Sequence, residues 1–328
     1  MSPQAASSKH VPVLLERCIE LLRPAFDADA STAADYPRYL IDATLGMAGH
    51  AEAVLTNFPS ARLVGIDRDP EALQLAGERL AQFADRFTSV HGVYDEIPEI
   101  VAELDVPRVH GVLFDLGVSS LQLDETDRGF AYSFDAPLDM RMDSGDTRTA
   151  ADVVNTYPVA DLTRIFKDYG EERFAVRIAR AIDARRGSEP FTRSADLVDT
   201  IRGALPAAAR HAPGHPGKRV FQALRIEVNG ELDVLRRAIP AALDALAPSG
   251  RIVVLSYHSL EDRIVKRALA DVTADKTPID LPELLPGDSP TFRLLVRGSE
   301  QATDDEIAVN PRAKSVRLRA AERIREVA

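Results

Sequence analysis

Three acids stand at the ends of apolar runs: Asp42 after Tyr39-Leu-Ile41, Asp67 after Arg62-Leu-Val-Gly-Ile66, and Asp115 after Gly111-Val-Leu-Phe114. Between the first two lies Gly46-x-x-Gly49, followed by helical character from Ala51 to Phe58. A strand, a glycine turn and a helix are the way an α/β sheet opens room for a nucleotide-like ligand. A carboxylate at the end of the next strand, Asp67, can accept both hydroxyl protons of a ribose. No GxGxxG is present, so the dinucleotide fingerprint is broken, and no GxxxxGK[ST] occurs at this turn. A looser turn suits a smaller ligand without a pyrophosphate, and S-adenosylmethionine is the obvious candidate. The backbone of Leu45 to His50 would meet its methionine part, Asp67 the ribose and Tyr94 the adenine. Asp115 and Gln122 would lie near the methyl-transfer end. The plainer alternatives are that the two glycines only permit a tight turn, that Asp67 caps a helix, and that Tyr94 is an aromatic at the edge of the core. His50 has no paired His or Cys at metal spacing, so no metal site is expected.

The elements that must position these groups are legible in order. Leu14 to Leu22 reads as a helix stopped before Pro24, and Ala25 to Pro37 as a linker. Strands are expected at 39–41, 63–66, 87–90, 111–115 and 251–256. Asp69-Pro70-Glu71 is a good helix start, with Asp as N-cap and Pro at the first helical position; that helix runs to about Phe83. A short helix follows at 96–104. Strands alternating with helices give an α/β fold, a mainly parallel sheet with helices on both faces and its ligands at the C-terminal edge. The rhythm breaks after Asp115. From Ala150 to Leu205 the periodicity is helical, with Phe174, Ile178 and Ile182 at i, i+4, i+8. Residues 124–212 therefore read as a helical domain inserted into a sheet domain made of 1–123 and 213–328. The apolar stripe from Phe221 to Leu246 is a helix or helix pair with interruptions expected at Asn229-Gly230 and at Pro240. Residues 271–290, with four prolines, look like a flexible loop. Phe292 to Val296 and Val316 to Leu318 are expected as antiparallel partners.

Composition narrows the class. The formal net charge of −11 argues against a general nucleic-acid binder but leaves room for a local basic face. Two such clusters stand out: Arg202, Arg210, Lys218, Arg219 and Arg225, with no acid in 202–225, and Lys314, Arg317 and Arg319 beside Arg312. The single cysteine, Cys18, excludes a disulfide framework and a CxxC metal site. Residues 1–9 read as a disordered polar tail without a signal-peptide core, and no apolar run is long enough to span a membrane, so a cytoplasmic protein is expected.

Longer strings carry a resemblance. They are Ile41-Asp-Ala-Thr-Leu-Gly46, Gly65-Ile-Asp-Arg-Asp-Pro70, Asp115-Leu-Gly-Val-Ser-Ser120, Pro137-Leu-Asp-Met-Arg-Met-Asp143, Tyr169-Gly-Glu-Glu-Arg-Phe174, the run from Arg219 to Leu232, and Ser256-Tyr-His-Ser-Leu-Glu-Asp-Arg263. Over nearly the whole chain, from His10 to Ser315, the sequence closely resembles the bacterial 16S ribosomal RNA cytosine-N4 methyltransferase family. The resemblance implies a class I S-adenosylmethionine-dependent methyltransferase fold, Rossmann-like, with an inserted all-helical domain that would recognise RNA. It implies N4-methylation of one cytidine, position 1402, in the decoding centre of 16S rRNA within the small ribosomal subunit. It carries cofactor contacts onto Ala48, Gly49, His50, Asp67, Tyr94, Asp115 and Gln122. Two of these depart from the family's commonest form. Ala48 stands where Gly is common, which costs little provided φ is negative, and Tyr94 stands where Phe is common. The oligomeric state is open, a homodimer included.

Cytosine N4 is a weak nucleophile because its lone pair is conjugated with the ring. Attack at C5 would need a cysteine adduct, and Cys18 lies far in sequence from every strand tip. Iron–sulfur radical chemistry would need a cysteine cluster. Direct transfer remains, in which the protein aligns the amine and accepts its hydrogen bonds. Asp115 is the expected acceptor, with Asp139 or Asp143 a second one or else a local ion-pair or capping residue. The Pro-Pro-aromatic element of related amino methyltransferases is missing after Asp115, so Phe130, Tyr132, Phe134 or Tyr257 must stack on the flipped base. His258 would take a proton, touch RNA or serve structure. The competing readings are a DNA amino methyltransferase and a ribosome-assembly factor without catalysis.

Overall fold

The computed structural model describes residues 12–27, 37–106, 108–210, 215–275 and 289–325. The expected tail 1–9 lies outside them, as do most of the Ala25–Pro37 linker and residues 276–288 of the proline-rich loop. The chain divides into two compact units, Met1–Gly117 with Leu232–Ala328, and Val118–Glu231.

The first unit is built on a seven-stranded sheet. Its strands are β1 (Arg38–Asp42), β2 (Ala61–Asp67), β3 (Phe87–His91), β4 (Val109–Asp115), β5 (Leu246–Ser256), β6 (Phe292–Leu294) and β7 (Arg317–Arg323), in the order β3-β2-β1-β4-β5-β7-β6. The first five are parallel, and β7 runs antiparallel to both β5 and β6. This is the Rossmann-like class I methyltransferase arrangement that the resemblance implied; the last two strands are antiparallel partners as expected, but they pair through Ala321–Arg323, beyond the expected 316–318. The central strands β1, β2, β4 and β5 carry buried apolar runs because both faces are covered there, whereas the edge strand β3 is mostly unburied. Leu40, Leu63, Leu113, Val253 and Leu255 turn to one face, against α1 (Leu15–Phe26) and α2 (Gly49–Asn57). Their neighbours Ile41, Val64, Val112, Phe114, Ile252 and Val254 turn to the other. That second face packs on α4 (Ile97–Glu103), α12 (Glu231–Ala245) and α13 (Ser259–Thr273), while α3 (Pro70–Arg79) follows β2. Asp69 caps α3 as the sequence indicates, accepting from Glu71 N–H. The strand order reverses between β1 and β4, and a crevice opens at the C-terminal ends of strands at such a point.

Local expectations fail in three places, two overridden by burial and one by strand pairing. α1 does not stop before Pro24 but runs on to Phe26. Pro24 faces solvent, while Ala25 and Phe26 are buried, and Phe26 stacks on Phe58 with ring centroids 5.0 Å apart. Pro240 does not interrupt α12. Arg236, whose carbonyl Pro240 would crowd, lies on the exposed side with it, and Leu235, Ala238, Ile239 and Ala242 fix the helix to the sheet. β5 begins at Leu246, with Pro248-Ser-Gly250 inside it as an irregularity where the register with β4 shifts.

The second unit is helical: α5 (Ser120–Asp124), α6 (Ala150–Thr156), α7 (Val159–Asp168), α8 (Ala175–Arg186), α9 (Ser194–Ala204), α10 (Ala207–Arg210) and α11 (Lys218–Asn229). It is longer than the expected insert of 124–212. The chain leaves the sheet at Gly117, which takes φ 97°. α11 belongs to this unit because Val220, Phe221, Leu224 and Val228 bury in the helical core with Ile165, Phe166, Ile178 and Ile201. Asn229-Gly230 is the break the sequence marks, with Gly230 in the left-handed conformation at φ 62°. The long segment before α6 is pinned on the same core by Phe130, Leu138, Met140 and Met142. Asn229 grips it: its amide oxygen accepts Met142 N–H and its amide nitrogen donates to Met140 O, both at 2.8 Å. Gly129 is required there, since it takes φ 75° and a Cβ would stand 2.2 Å from Pro137 O.

Candidate active site

The tips of β1, β2, β4 and β5 bring together residues that are far apart in sequence. Asp67, at the end of β2, accepts Gly46 N–H at 2.7 Å on one carboxylate oxygen and Asp69 N–H at 2.9 Å on the other. Burial raises its pKa, and those two N–H groups oppose the rise. A carboxylate has about four lone-pair sites, so two remain for hydroxyl protons. The turn between β1 and α2 holds Gly46 at φ 50° and Ala48 at φ 59°. The condition set for Ala48, a negative φ, is not met, because Ala48 N–H must reach Leu45 O while its own carbonyl accepts Glu52 N–H. A left-handed alanine costs about 1–2 kcal/mol, part of which the greater chain entropy of glycine offsets. Ala48→Gly is therefore expected to raise stability by up to about 1 kcal/mol, read as a higher midpoint in chemical denaturation; a lower midpoint would refute the strain. At Gly49, a Cβ would lie 2.5 Å from Pro12 Cγ, so the turn and the N-terminal segment close on each other there.

Asp115, at the end of β4, is the most connected group of this edge. Its Oδ1 accepts the Tyr257 hydroxyl at 2.6 Å, and its Oδ2 lies 3.6 Å from His50 Nδ1. The other ring nitrogen of His50 faces Val13 O at 3.1 Å, and the ring is buried. Asp115 N–H donates to Thr44 Oγ1 at 2.6 Å, which ties the β4 tip to the turn after β1. Burial pushes the Tyr257 hydroxyl well above its ordinary range, and the Asp115 charge adds to the rise. Tyr257 thus stays a donor. Sequence reasoning placed Tyr257 among the stacking aromatics and missed this bond, which joins positions 142 residues apart. His258 caps α13, where Glu261 accepts Tyr257 N–H and His258 N–H. His258 Nε2 lies 3.1 Å from Glu261 Oε1 but out of line for a hydrogen bond. The structural alternative for His258 is what is observed, and histidine's rarity as an N-cap hid it.

Asp42 is buried behind these groups. Burial pushes its carboxyl up to about 7; the Thr44 N–H it accepts opposes the rise, and the Asp115 and Asp67 charges add to it. Unfolded, the group titrates near 3.8. Between that value and about 7 the folded chain binds the extra proton, so Asp42 lowers stability progressively as pH rises through the window, and its full penalty stands above it. Asp42→Asn is expected to flatten the fall in melting temperature between about pH 4 and about pH 7. An unchanged slope in thermal melts would refute the assignment.

Tyr94 stands at the start of a short 3-10 turn after β3, edge-on to Phe114 with centroids 5.7 Å apart, as an aromatic at the rim of the core. Cys18, distant in sequence, is folded into range of Asp115 and Asp42, whose charges add to the effect of burial in raising its thiol well above the ordinary value. A thiolate is disfavoured there by the fold rather than by distance. Among the described residues no group of three or more His, Cys, Asp or Glu could hold a metal ion, and no helix is long and apolar enough to cross a membrane.

The remaining expected residues lie in the second unit. Gln122 is buried, and its side-chain oxygen accepts Ser119 N–H at 3.0 Å in a capping box. Asp139 is bound by the Arg141 guanidinium at 2.7 and 2.8 Å and by Arg141 N–H at 3.0 Å; although burial pulls its pKa up, these bonds hold it below the ordinary value. Asp143 accepts Gly145 N–H in a local turn. For Asp139 and Asp143 the structure shows the ion-pair and capping bonds of the alternative reading. Of the aromatics, Phe130 is buried, Tyr132 stacks on His215 at 4.6 Å, and Phe134 is 64% exposed. Three expected phosphate contacts are engaged by carboxylates, Arg202 by Asp199 at 3.4 Å among them. Arg225 is gripped by the buried Glu231, six residues on, and Arg319 by Asp262.

A family model described as the MraW methylase family matches residues 7–324. A Saccharopolyspora erythraea protein named ribosomal RNA small subunit methyltransferase H is 62% identical over 322 residues, covering 98% of this chain and 96% of that protein. Proteins of the same name from Thermobifida fusca and Pseudarthrobacter chlorophenolicus are 61% identical over 317 residues and 60% identical over 323. They cover 97% and 98% of this chain, and 94% and 97% of their own lengths.

Proposed function

Because the chain belongs to the MraW methylase family, we infer that it transfers a methyl group from S-adenosylmethionine to N4 of one cytidine, position 1402, of 16S rRNA in the small ribosomal subunit. The name shared by its full-length relatives supports the substrate class. The single observation that carries the chemistry is Asp115, a carboxylate at the strand-order reversal whose two oxygens face Tyr257 and His50.

The residues present fit the cofactor. The turn from Leu45 to His50 would border its methionine part, the free lone pairs of Asp67 its ribose hydroxyls, and the Tyr94 ring its adenine; Ala48, Gly49 and Gln122 complete the proposed contacts. Bound S-adenosylmethionine supplies an electrophilic methyl group on a sulfonium. The chain's own task is to hold the weakly nucleophilic amine in line and to take its proton. Asp115 accepts a hydrogen bond from the N4 amine and then its proton, while Tyr257 and His50 fix the carboxylate. The occupied carboxylate of Asp139 makes Asp115 the better acceptor of the two.

The test uses small subunits from a strain lacking this gene, the purified protein and methyl-labelled S-adenosylmethionine, followed by nuclease digestion and mass mapping. The expected result is an N4-methyl mark on one decoding-centre cytidine. Cofactor binding without incorporation would refute the substrate assignment and send the search to free rRNA and DNA.

A further inference from the structure

The motif Tyr169-Gly-Glu-Glu-Arg-Phe174 lies in the helical unit and leads into a helix with an exposed cationic side. Several arginines elsewhere in that unit are neutralised: Arg141 by Asp139, Arg185 by Asp196, Arg186 by Asp183, Arg193 by Asp135 and Arg225 by Glu231. Arg173, Arg177 and Arg180 are different. All three are exposed, and among the described residues none has a carboxylate or a hydrogen-bond acceptor. Arg173 lies in the turn entering α8, and Arg177 and Arg180 follow at spacings of four and three, so they run along one side of the helix. The opposite side, Ala175, Ile178, Ala179 and Ile182, is sealed in the core, which fixes the orientation of the arginine side.

The motif fastens this helix to a second cationic element. Gly170 packs so closely on the first turn of α11 that a Cβ would lie 2.5 Å from Arg219 O. Gln222 donates to Tyr169 O at 2.9 Å and Arg219 to Glu171 O at 3.1 Å. The exposed Lys218 and Arg219 are thereby held beside the turn, and the exposed Lys167 precedes it, its carbonyl accepting Glu171 N–H. Segments 167–180 and 218–219 together carry six cations against three acids, and one of the three, Glu172, is buried with its carboxylate on Phe174 N–H. In a chain of net charge −11, unpaired exposed arginines in such a group form a local field opposite to that of the whole. The only large apolar side chain exposed on α8 is Val176, at 37%, too little for the apolar centre of a protein interface.

We propose that the side of α8 bearing Arg173, Arg177 and Arg180, continued by Lys218 and Arg219 at the start of α11, is a phosphate-backbone contact surface for the substrate RNA. The proposal rests on the rRNA reading above. The arginines contribute position and affinity rather than sequence readout.

The experiment compares the full-length protein with the triple variant Arg173→Gln, Arg177→Gln, Arg180→Gln, and with the corresponding triple Lys variant. Binding to undermethylated small subunits is measured against salt, alongside methylation kinetics and calorimetric titration with S-adenosylmethionine. The Gln variant is expected to bind the cofactor like the parent, to keep kcat, and to raise KM for subunits about tenfold or more. Its log–log salt slope should be shallower by about 2 to 3, the counterion release of three phosphate contacts. The Lys variant should keep the parental slope, which separates lost charge from lost fold. An unchanged slope and KM overturn the proposal. Weaker subunit binding with an unchanged slope assigns the surface to a subunit protein and overturns it equally. If the parent binds subunits but does not methylate them, the enzymatic reading fails while the slope comparison still decides the surface.

Discussion

Asp115→Asn is expected to lower kcat on small subunits by about 10²–10⁴-fold, the usual contribution of a positioned proton acceptor. Affinity for S-adenosylmethionine should change less than about tenfold, since the loss falls on acceptance of the amine proton and not on uniform binding. Asparagine keeps the shape and one acceptor oxygen for the Tyr257 hydroxyl but cannot take a proton. Single-turnover methylation with saturating subunits measures the effect, and a kcat within about threefold of the parent would remove Asp115 from the chemistry. Tyr257→Phe should have a smaller effect in the same direction, about 10–100-fold, the worth of one hydrogen bond to a charged group. Because burial and the Asp115 charge keep that hydroxyl protonated well past its ordinary range, the loss should be the same across neutral pH. A loss that varied across neutral pH would mean that Tyr257 acts as an acid or base instead of a fixed donor.

Asp67→Ala should weaken S-adenosylmethionine binding by about 100-fold or more. Two hydrogen bonds from ribose hydroxyls to a carboxylate, at about 1.5–3 kcal/mol each, set the scale. The same change deprives Gly46 N–H and Asp69 N–H of their acceptor and loosens the turn that would carry the methionine part. Asp67→Asn retains one acceptor oxygen and should fall between the two. Calorimetric titration gives the dissociation constants directly. An Asp67→Ala protein that bound the cofactor within about threefold of the parent would take Asp67 out of the ligand site.

The sheet was legible because its signals are local and repeated. Each buried parallel strand is a short apolar run, each ends in an acid or a turn, and Asp69-Pro70-Glu71 and Asn229-Gly230 mark a helix start and a helix end with their own chemistry. Strand edges were less legible: β5 starts at Leu246, ahead of Pro248-Ser-Gly250, because pairing with β4 outweighs turn propensity. Pro24 and Pro240 misled for a related reason. A helix tolerates proline when the lost bond faces solvent and the neighbouring residues are buried. The end of the insert was hidden because the apolar stripe of α11 continues into α12 without a change of period. Only packing assigns the first to the helical core and the second to the sheet.

Which acids gather at one edge followed from the sequence, since Asp42, Asp67 and Asp115 each end a parallel strand. What each acid is bound to did not. The partners of Asp115 come from β5, from α2 and from the turn after β1, and no spacing rule connects positions that far apart. The left-handed backbone at Ala48 is likewise set by the hydrogen bonds of the turn and not by the residue's own preference. The same holds for the cations: Arg225 and Arg319 looked free in the chain and are bound in the fold, while Arg173, Arg177 and Arg180 looked ordinary and are left open. By itself the sequence determined the elements, their order and the acids at the strand tips, because those depend on local periodicity. Only the tertiary structure decided which of the charged groups are engaged, because pairing depends on distances that the fold alone creates.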